Sequence, residues 1–188
     1  MSIEAKGNGA PAEPQNAQPA AAAAGVGKPP EPATTGTTPV AVSPPAVPLP
    51  NPLAHLPTPF QAVDYALKGY HVDASVASDQ VVSTAEQLDR EGFALDTITG
   101  VDWLAEGQME VVYDYFHPMK FLRAVVRARI PRANPEVPTI SRVFPGANWH
   151  ERETHDFFGI RFLGHPNLLP FLLPEDATYH PLRKDFAA

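Results

Sequence analysis

Between positions 150 and 155 the chain reads His150-Glu151-Arg152-Glu153-Thr154-His155, residue types that invite metal chemistry. A zinc-protease helix places two imidazoles four residues apart, so that both reach one ion. Here the histidines are five apart. At ~100° per residue they diverge by about 140°, so a single ion cannot easily take both. Glu151 and His155 are four apart and share a face, but two ligands make a weak site. The plainer reading is a charged helix face with an intrahelical pair. Glu151, Glu153 and Asp156 also offer carboxylates for acid–base work, and Glu153 and Asp156 share a face. Arg152 and His155 lie near enough to neutralise them, which favours ion pairs that orient the helix.

The other histidines are His55, His71, His117, His165 and His180. His165 and His180 each precede a proline, which pushes them towards extended backbone. They read as hydrogen-bonding pieces of a docking segment. No glycine-rich phosphate loop follows a strand, and no serine sits in a nucleophile elbow. The closing run His180-Pro181-Leu182-Arg183-Lys184-Asp185-Phe186 has a different character. Pro181 holds it extended, Leu182 and Phe186 offer apolar anchors, and Arg183 and Lys184 offer charge-assisted donors. It reads equally as an arm that grips a partner and as an arm folded onto its own domain.

The elements that must position these residues come from residue 60 onwards. Of 23 prolines, 14 precede Phe60, which is also the first aromatic residue. Residues 1–59 have too little large apolar surface to offset the entropy of ordering them, and are expected to form a disordered Pro/Ala-rich tether. Neither a secretory signal nor an Arg-rich transit peptide is expected there. No window approaches the ~20 apolar residues that span a bilayer. The absence of cysteine excludes disulfides, thiolate zinc sites and cysteine-held iron–sulfur clusters. A formal charge of −7 without a basic stripe makes nucleic acid an unexpected partner.

Residues 60–188 then form one domain. A short helix is predicted over 60–67 and a strand over 70–76. A helix follows from Ser78 or Asp79, with Val81, Val82, Ala85 and Leu88 on one face and Gly92 as its C′ residue. A strand is predicted over 93–98, running on to Trp103. Residues 110–116 and 121–130 alternate as a hairpin, with Leu122, Ala124, Val126, Ala128 and Ile130 on one face and Arg123, Arg127 and Arg129 on the other. Pro131, Pro135 and Pro138 mark a loop. A helix is expected to begin at 139–144, and another, capped by Asn148, runs to Phe158 before Gly159. After it the prolines forbid a long helix, leaving one strand-like piece and an extended arm over 164–188. The class is α+β: a small mixed or antiparallel sheet with helices on one face.

Taken together, Trp149 to Glu153, Asp156-Phe157-Phe158-Gly159-Ile160, Gly164-His165-Pro166 and His180 to Phe186 resemble the signature of one family. It is the 30-kilodalton subunit family of respiratory NADH:quinone oxidoreductase, complex I, which includes related subunits of membrane-bound nickel–iron hydrogenases. Thr99-Gly100-Val101-Asp102 resembles a further stretch of it, so the likeness covers residues 70–186. Asn167-Leu168-Leu169-Pro170 stands where the family commonly has arginines. Leu172 to Asp176 is similar to the hydrogenase-like branches at least as much as to the NADH branch. The resemblance implies a peripheral-arm subunit without its own cofactor or active site. It implies docking on the large quinone-site subunit, with an iron–sulfur subunit as neighbour; flavin mononucleotide, iron–sulfur clusters and quinone belong to those partners. It implies Trp149, Glu151, Arg152, Glu153 and His165, with the arm from His180 to Phe186, as the docking residues. The membrane is then reached only through partners, on the cytoplasmic face of a bacterial inner membrane. The equivalent hydrogenase subunit is the alternative within the family; a stand-alone metallohydrolase and a proline-arm scaffold are the alternatives outside it.

Overall fold

A computed structural model describes residues 49–187, so most of the expected tether lies outside the described residues. In chain order the elements are β1 (Gln61–Ala62), α1 (Tyr65–Lys68), β2 (Val72–Val76), α2 (Val81–Arg90), β3 (Ala94–Trp103), β4 (Gln108–His117), β5 (Leu122–Pro131), β6 (Glu136–Pro138), α3 (Ala147–Phe158) and β7 (Arg161–Leu163). Five strands form one mixed sheet in the order β1-β2-β5-β4-β3. The β3–β4–β5 meander is antiparallel, and β2 joins β5 in parallel. The class is α+β, as the element pattern predicts.

Alternation decides which face is buried. Met109, Val111, Tyr113 and Tyr115 of β4 and Ala124, Val126, Ala128 and Ile130 of β5 lie in the core. Val81, Ala85 and Leu88 of α2 and Ala147 and Phe158 of α3 pack into the same core, so both helices cover one face of the sheet. The opposite face carries the three arginines of β5. Arg127 Nε stands 3.6 Å from Asp73, and Arg129 pairs with Glu110 at 3.4 Å and lies over the Trp103 ring.

Helix α2 ends as its glycine predicts. Gly92 adopts φ 84°, its N–H donates to Asp89 O, and Phe93 N–H donates to Leu88 O, which together form a Schellman motif.

Several local expectations are corrected. The folded chain begins before residue 60: Leu53 is buried in the core, and Thr58 N–H donates to Gln87 Oε1 of α2 at 3.1 Å. The helix expected over 60–67 is a two-residue strand followed by one turn, because Val63 N–H is drawn to His71 O beside β2. Residues 139–144 form only a turn, in which Val143 and Phe144 both donate to Ile140 O before Pro145-Gly146 interrupts. α3 starts at Ala147, so Asn148 lies inside it and does not cap it. The proline-marked loop contains β6, which pairs in parallel with β7 as a second small sheet. After β7 no helix or strand occurs as far as Ala187.

Candidate partner interface along α3

Helix α3 packs through its buried face on β3, where Thr154 Oγ1 donates to Ile98 O at 3.4 Å. Glu151 lies on that buried face and is 0% exposed. Its carboxylate accepts from the Thr139 hydroxyl and, at 2.8 Å, from the Ile140 N–H. Burial pushes its carboxyl up to about 7 against the pull of these two donors. His165 Nε2 is 3.8 Å from Glu151, and both side chains are shut off from solvent. The His165 imidazole donates through Nε2 to Asn148 O at 3.3 Å and accepts from Asn167 N–H at 3.1 Å through Nδ1. That arrangement suits the neutral ring, and burial lowers its pKa further. Glu151 and His165 were expected on the docking surface. The structure corrects this: both are internal, and they tie α3 to the chain before and after it.

The next turns of α3 hold the following segment by its backbone. Arg152 donates to Leu169 O at 3.0 Å and Pro170 O at 2.9 Å, and its guanidinium lies over the Trp149 and Phe171 rings. One turn on, Asp156 Oδ2 accepts from the N–H groups of Phe171, Leu172 and Leu173 at 2.8, 2.7 and 3.2 Å. Burial acts to raise the Asp156 pKa, and the three amide donors outweigh it, so the carboxyl sits below its ordinary range. The stability it lends is therefore present above the ordinary carboxylate pKa and is lost as the pH falls through the lowered one. Bonds to a charged acceptor contribute about 1.5–3 kcal/mol each. Asp156→Ala should therefore lower amide-exchange protection at Leu172 and Leu173 by roughly tenfold or more and leave the β4 amides unchanged. Equal protection in both proteins would show that the carboxylate does not hold this segment.

The last turn of a helix leaves four carbonyls without intrahelical partners. Here each has one. His155 O accepts from Gly159 N–H, Asp156 O from His180 Nδ1 at 2.8 Å, Phe157 O from Leu182 N–H at 3.1 Å and Phe158 O from Arg183 Nε at 2.7 Å. The Arg183 cation also lies where the helix dipole is negative. Gly159, at φ 72°, leaves the space: a Cβ there would collide with Arg183 and stand 2.5 Å from His180. Beyond Arg183, Lys184 N–H donates to Asp102 Oδ2 at 2.8 Å. Arg132 bridges Asp102, at 2.8 and 3.1 Å, to Asp185, at 2.6 Å. The Arg132 guanidinium holds the buried Asp102 carboxyl below its ordinary range against desolvation.

His180 and Arg183 thus turn inward, Pro181 is half-buried, and Asp185 is exposed but paired with Arg132. Trp149, Glu153, Leu182, Lys184 and Phe186 face outward. The reading of spacings missed Asp156 as an anchor, although it named the residue, and gave no part to Arg132 or Phe171, whose partners lie far along the chain. His155 Nδ1 is engaged with Ile160 O at 2.9 Å. Among the described residues no three His, Cys, Asp or Glu side chains converge as metal ligands, and no helix is long and apolar enough to cross a membrane.

Over residues 74–188, more than half of the chain, the sequence matches the family described as Respiratory-chain NADH dehydrogenase, 30 Kd subunit. An NADH-quinone oxidoreductase subunit of Roseiflexus castenholzii is 47% identical over 92 residues, covering 48% of this chain and 53% of that protein. The NADH-quinone oxidoreductase subunit of the same type from Moorella thermoacetica is 37% identical over 113 residues, 59% of this chain and 76% of that one. An F(420)H(2) dehydrogenase subunit of Methanosarcina mazei is 41% identical over 96 residues, 49% of this chain and 59% of that one. A chain in the solved structure of the membrane-bound sulfane sulfur reductase, an archaeal respiratory membrane complex, superposes with a TM-score of 0.63 at 28% identity, covering 72% of this chain and 81% of that chain. The chain spans about half the length of the Roseiflexus relatives it matches. The matched residues contain the whole β3–β4–β5 meander, α3 and the segment that caps it, and by that match the chain belongs to the respiratory-chain NADH dehydrogenase 30 Kd subunit family.

Proposed function

We propose that this chain is a peripheral-arm subunit of a complex I-type NADH:quinone oxidoreductase, with no active site of its own. In this reading it docks on the large quinone-site subunit beside an iron–sulfur subunit and supports electron transfer to quinone. The observation that carries the proposal is the segment from Leu169 to Phe186. Side chains and carbonyls of α3 hold its backbone, while its large apolar side chains remain exposed. A segment ordered in this way, with its apolar groups turned outward, is suited to meet another protein.

Flavin mononucleotide, iron–sulfur clusters and quinone then belong to the neighbouring subunits; a chain without cysteine has no thiolates with which to hold a cluster. The chain reaches the membrane through those partners, on the cytoplasmic face of a bacterial inner membrane, and nucleic acid is no partner. The likeness to the F(420)H(2) dehydrogenase subunit and to the sulfane sulfur reductase supports a second reading. It is the same docking role in a complex with another electron donor, the nickel–iron hydrogenases included. Genes adjoining this one distinguish the two: those for flavin- and NADH-binding subunits, or those for hydrogenase maturation.

The test is co-purification with the large subunit after co-expression. Truncation after Tyr179 removes three of the four α3 caps, so a lower melting temperature is expected with the sheet intact by circular dichroism. Capture of the large subunit should fall by at least roughly tenfold. Capture by the truncated chain at full strength would overturn the docking role.

A further inference from the structure

We infer that this end of the molecule meets its partner through apolar side chains, the charged residues of the arm serving to shape that surface and not to grip the partner. The inference rests on the docking reading above and names its chemistry. Arg152 and Asp156, four residues apart on α3, hold five consecutive residues by their backbone: the carbonyls of Leu169 and Pro170 and the amides of Phe171, Leu172 and Leu173. With its backbone bound from below, this segment turns Leu169 and Leu172 outward, 60% and 52% exposed, beside Trp149 at 55%. Trp149 and Phe171 pack ring to ring at 4.9 Å, which makes one rigid aromatic platform.

The arm repeats the pattern. Arg183 is engaged with Phe158 O, and Asp185 with Arg132. What they leave outward is Leu182, 53% exposed, and the stacked pair Tyr179 and Phe186. Of the two cations that read as docking donors in the sequence, Arg183 is engaged within the chain and Lys184 faces outward. That bond fixes the Arg183 guanidinium against the end of α3 and takes one of its five donors. The occupant that fits is an apolar concave surface of the large subunit. A second copy of this chain fits less well, since each copy carries a formal charge of −7.

The test uses the full-length chain co-expressed with the large quinone-site subunit. Leu172→Asp and Leu182→Asp alter half-exposed side chains and should keep the wild-type melting temperature, yet each should weaken capture by roughly tenfold or more. Lys184→Glu should change capture by less than about threefold, and wild-type capture should hold when salt rises to about 0.5 M, where surface charges are screened. The inference is overturned if both aspartate variants bind as wild type does, or if Lys184→Glu or salt abolishes capture. It is also overturned if sedimentation shows a dimer of this chain that Leu172→Asp disrupts, for then the occupant is a second copy. Failure of the wild-type chain to capture the large subunit at all would instead refute the docking reading itself.

Discussion

Leucine at position 151 should lower stability by about 3 kcal/mol at pH 5, because the Ile140 N–H and the Thr139 hydroxyl lose their acceptor in a site closed to water. Glutamine should behave differently, since its amide oxygen and nitrogen can serve both partners. The pH dependence gives the sharper comparison. Burial raises the Glu151 pKa from the ordinary 4.5 to about 7, so the folded chain binds this proton more tightly than the unfolded chain. Stability from this group is therefore complete at pH values below the ordinary pKa and is lost as the pH rises through 4.5 towards 7. A shift of that size corresponds to about 3 kcal/mol over the full window, most of it between pH 5 and 8. Denaturant unfolding of the wild type and of Glu151→Gln at these two pH values isolates the term, since other titrating groups are common to both proteins. The wild type should lose about 2–3 kcal/mol more than the variant over this interval. Parallel losses would mean that Glu151 titrates as an ordinary surface acid.

Valine at position 100 should lower stability by about 3 kcal/mol and the melting temperature by roughly 10 °C. Gly100 lies in the middle of β3, opposite Val111, and its backbone conformation needs no glycine. What needs the glycine is the Phe158 ring, three of whose carbons would stand 2.5 to 2.9 Å from a Cβ. Phe158 belongs to the last turn of α3, the turn whose carbonyls Leu182 and Arg183 cap. Moving the ring therefore disturbs the arm as well as the core. The sign is informative because strand propensity predicts the reverse: a β-branched residue in place of a strand glycine is ordinarily favourable. Combining Gly100→Ala with Phe158→Leu should recover part of the loss, and thermal melts of the single and double variants measure that coupling. A valine variant as stable as the wild type would show that the close packing of β3 on α3 is not needed.

These two residues also show where the sequence can be read and where it cannot. The hairpin of β4 and β5 is legible because one face is buried in the core, which imposes alternation from Leu122 to Ile130 that only the buried Val125 interrupts. The end of α2 is legible because Gly92 must adopt positive φ. The parallel pairing of β2 with β5 has no local signature, since Val72 meets Ala124 far along the chain. β6 is hidden by the prolines that bracket it. Glu151 reads as one charge among several on a solvated helix face, and only the Thr139–Ile140 turn, folded over it from earlier in the chain, makes it internal. For Arg183, spacing left the choice between a partner and its own domain open; the Phe158 carbonyl is where the structure places it. Motif types and helix ends are local properties. Burial and orientation belong to contacts between distant segments.

The parallel strand pair has a consequence for synthesis. The meander β3–β4–β5 closes through neighbouring segments as soon as it leaves the ribosome, whereas β2 emerges before all three and its partner is the last of them. At about 5–20 residues per second, β2 waits for several seconds with Val72, Ala74 and Val76 uncovered. The nascent chain thus passes through a stage in which β2 is out while β5 is still to come, and a chaperone has that interval in which to act.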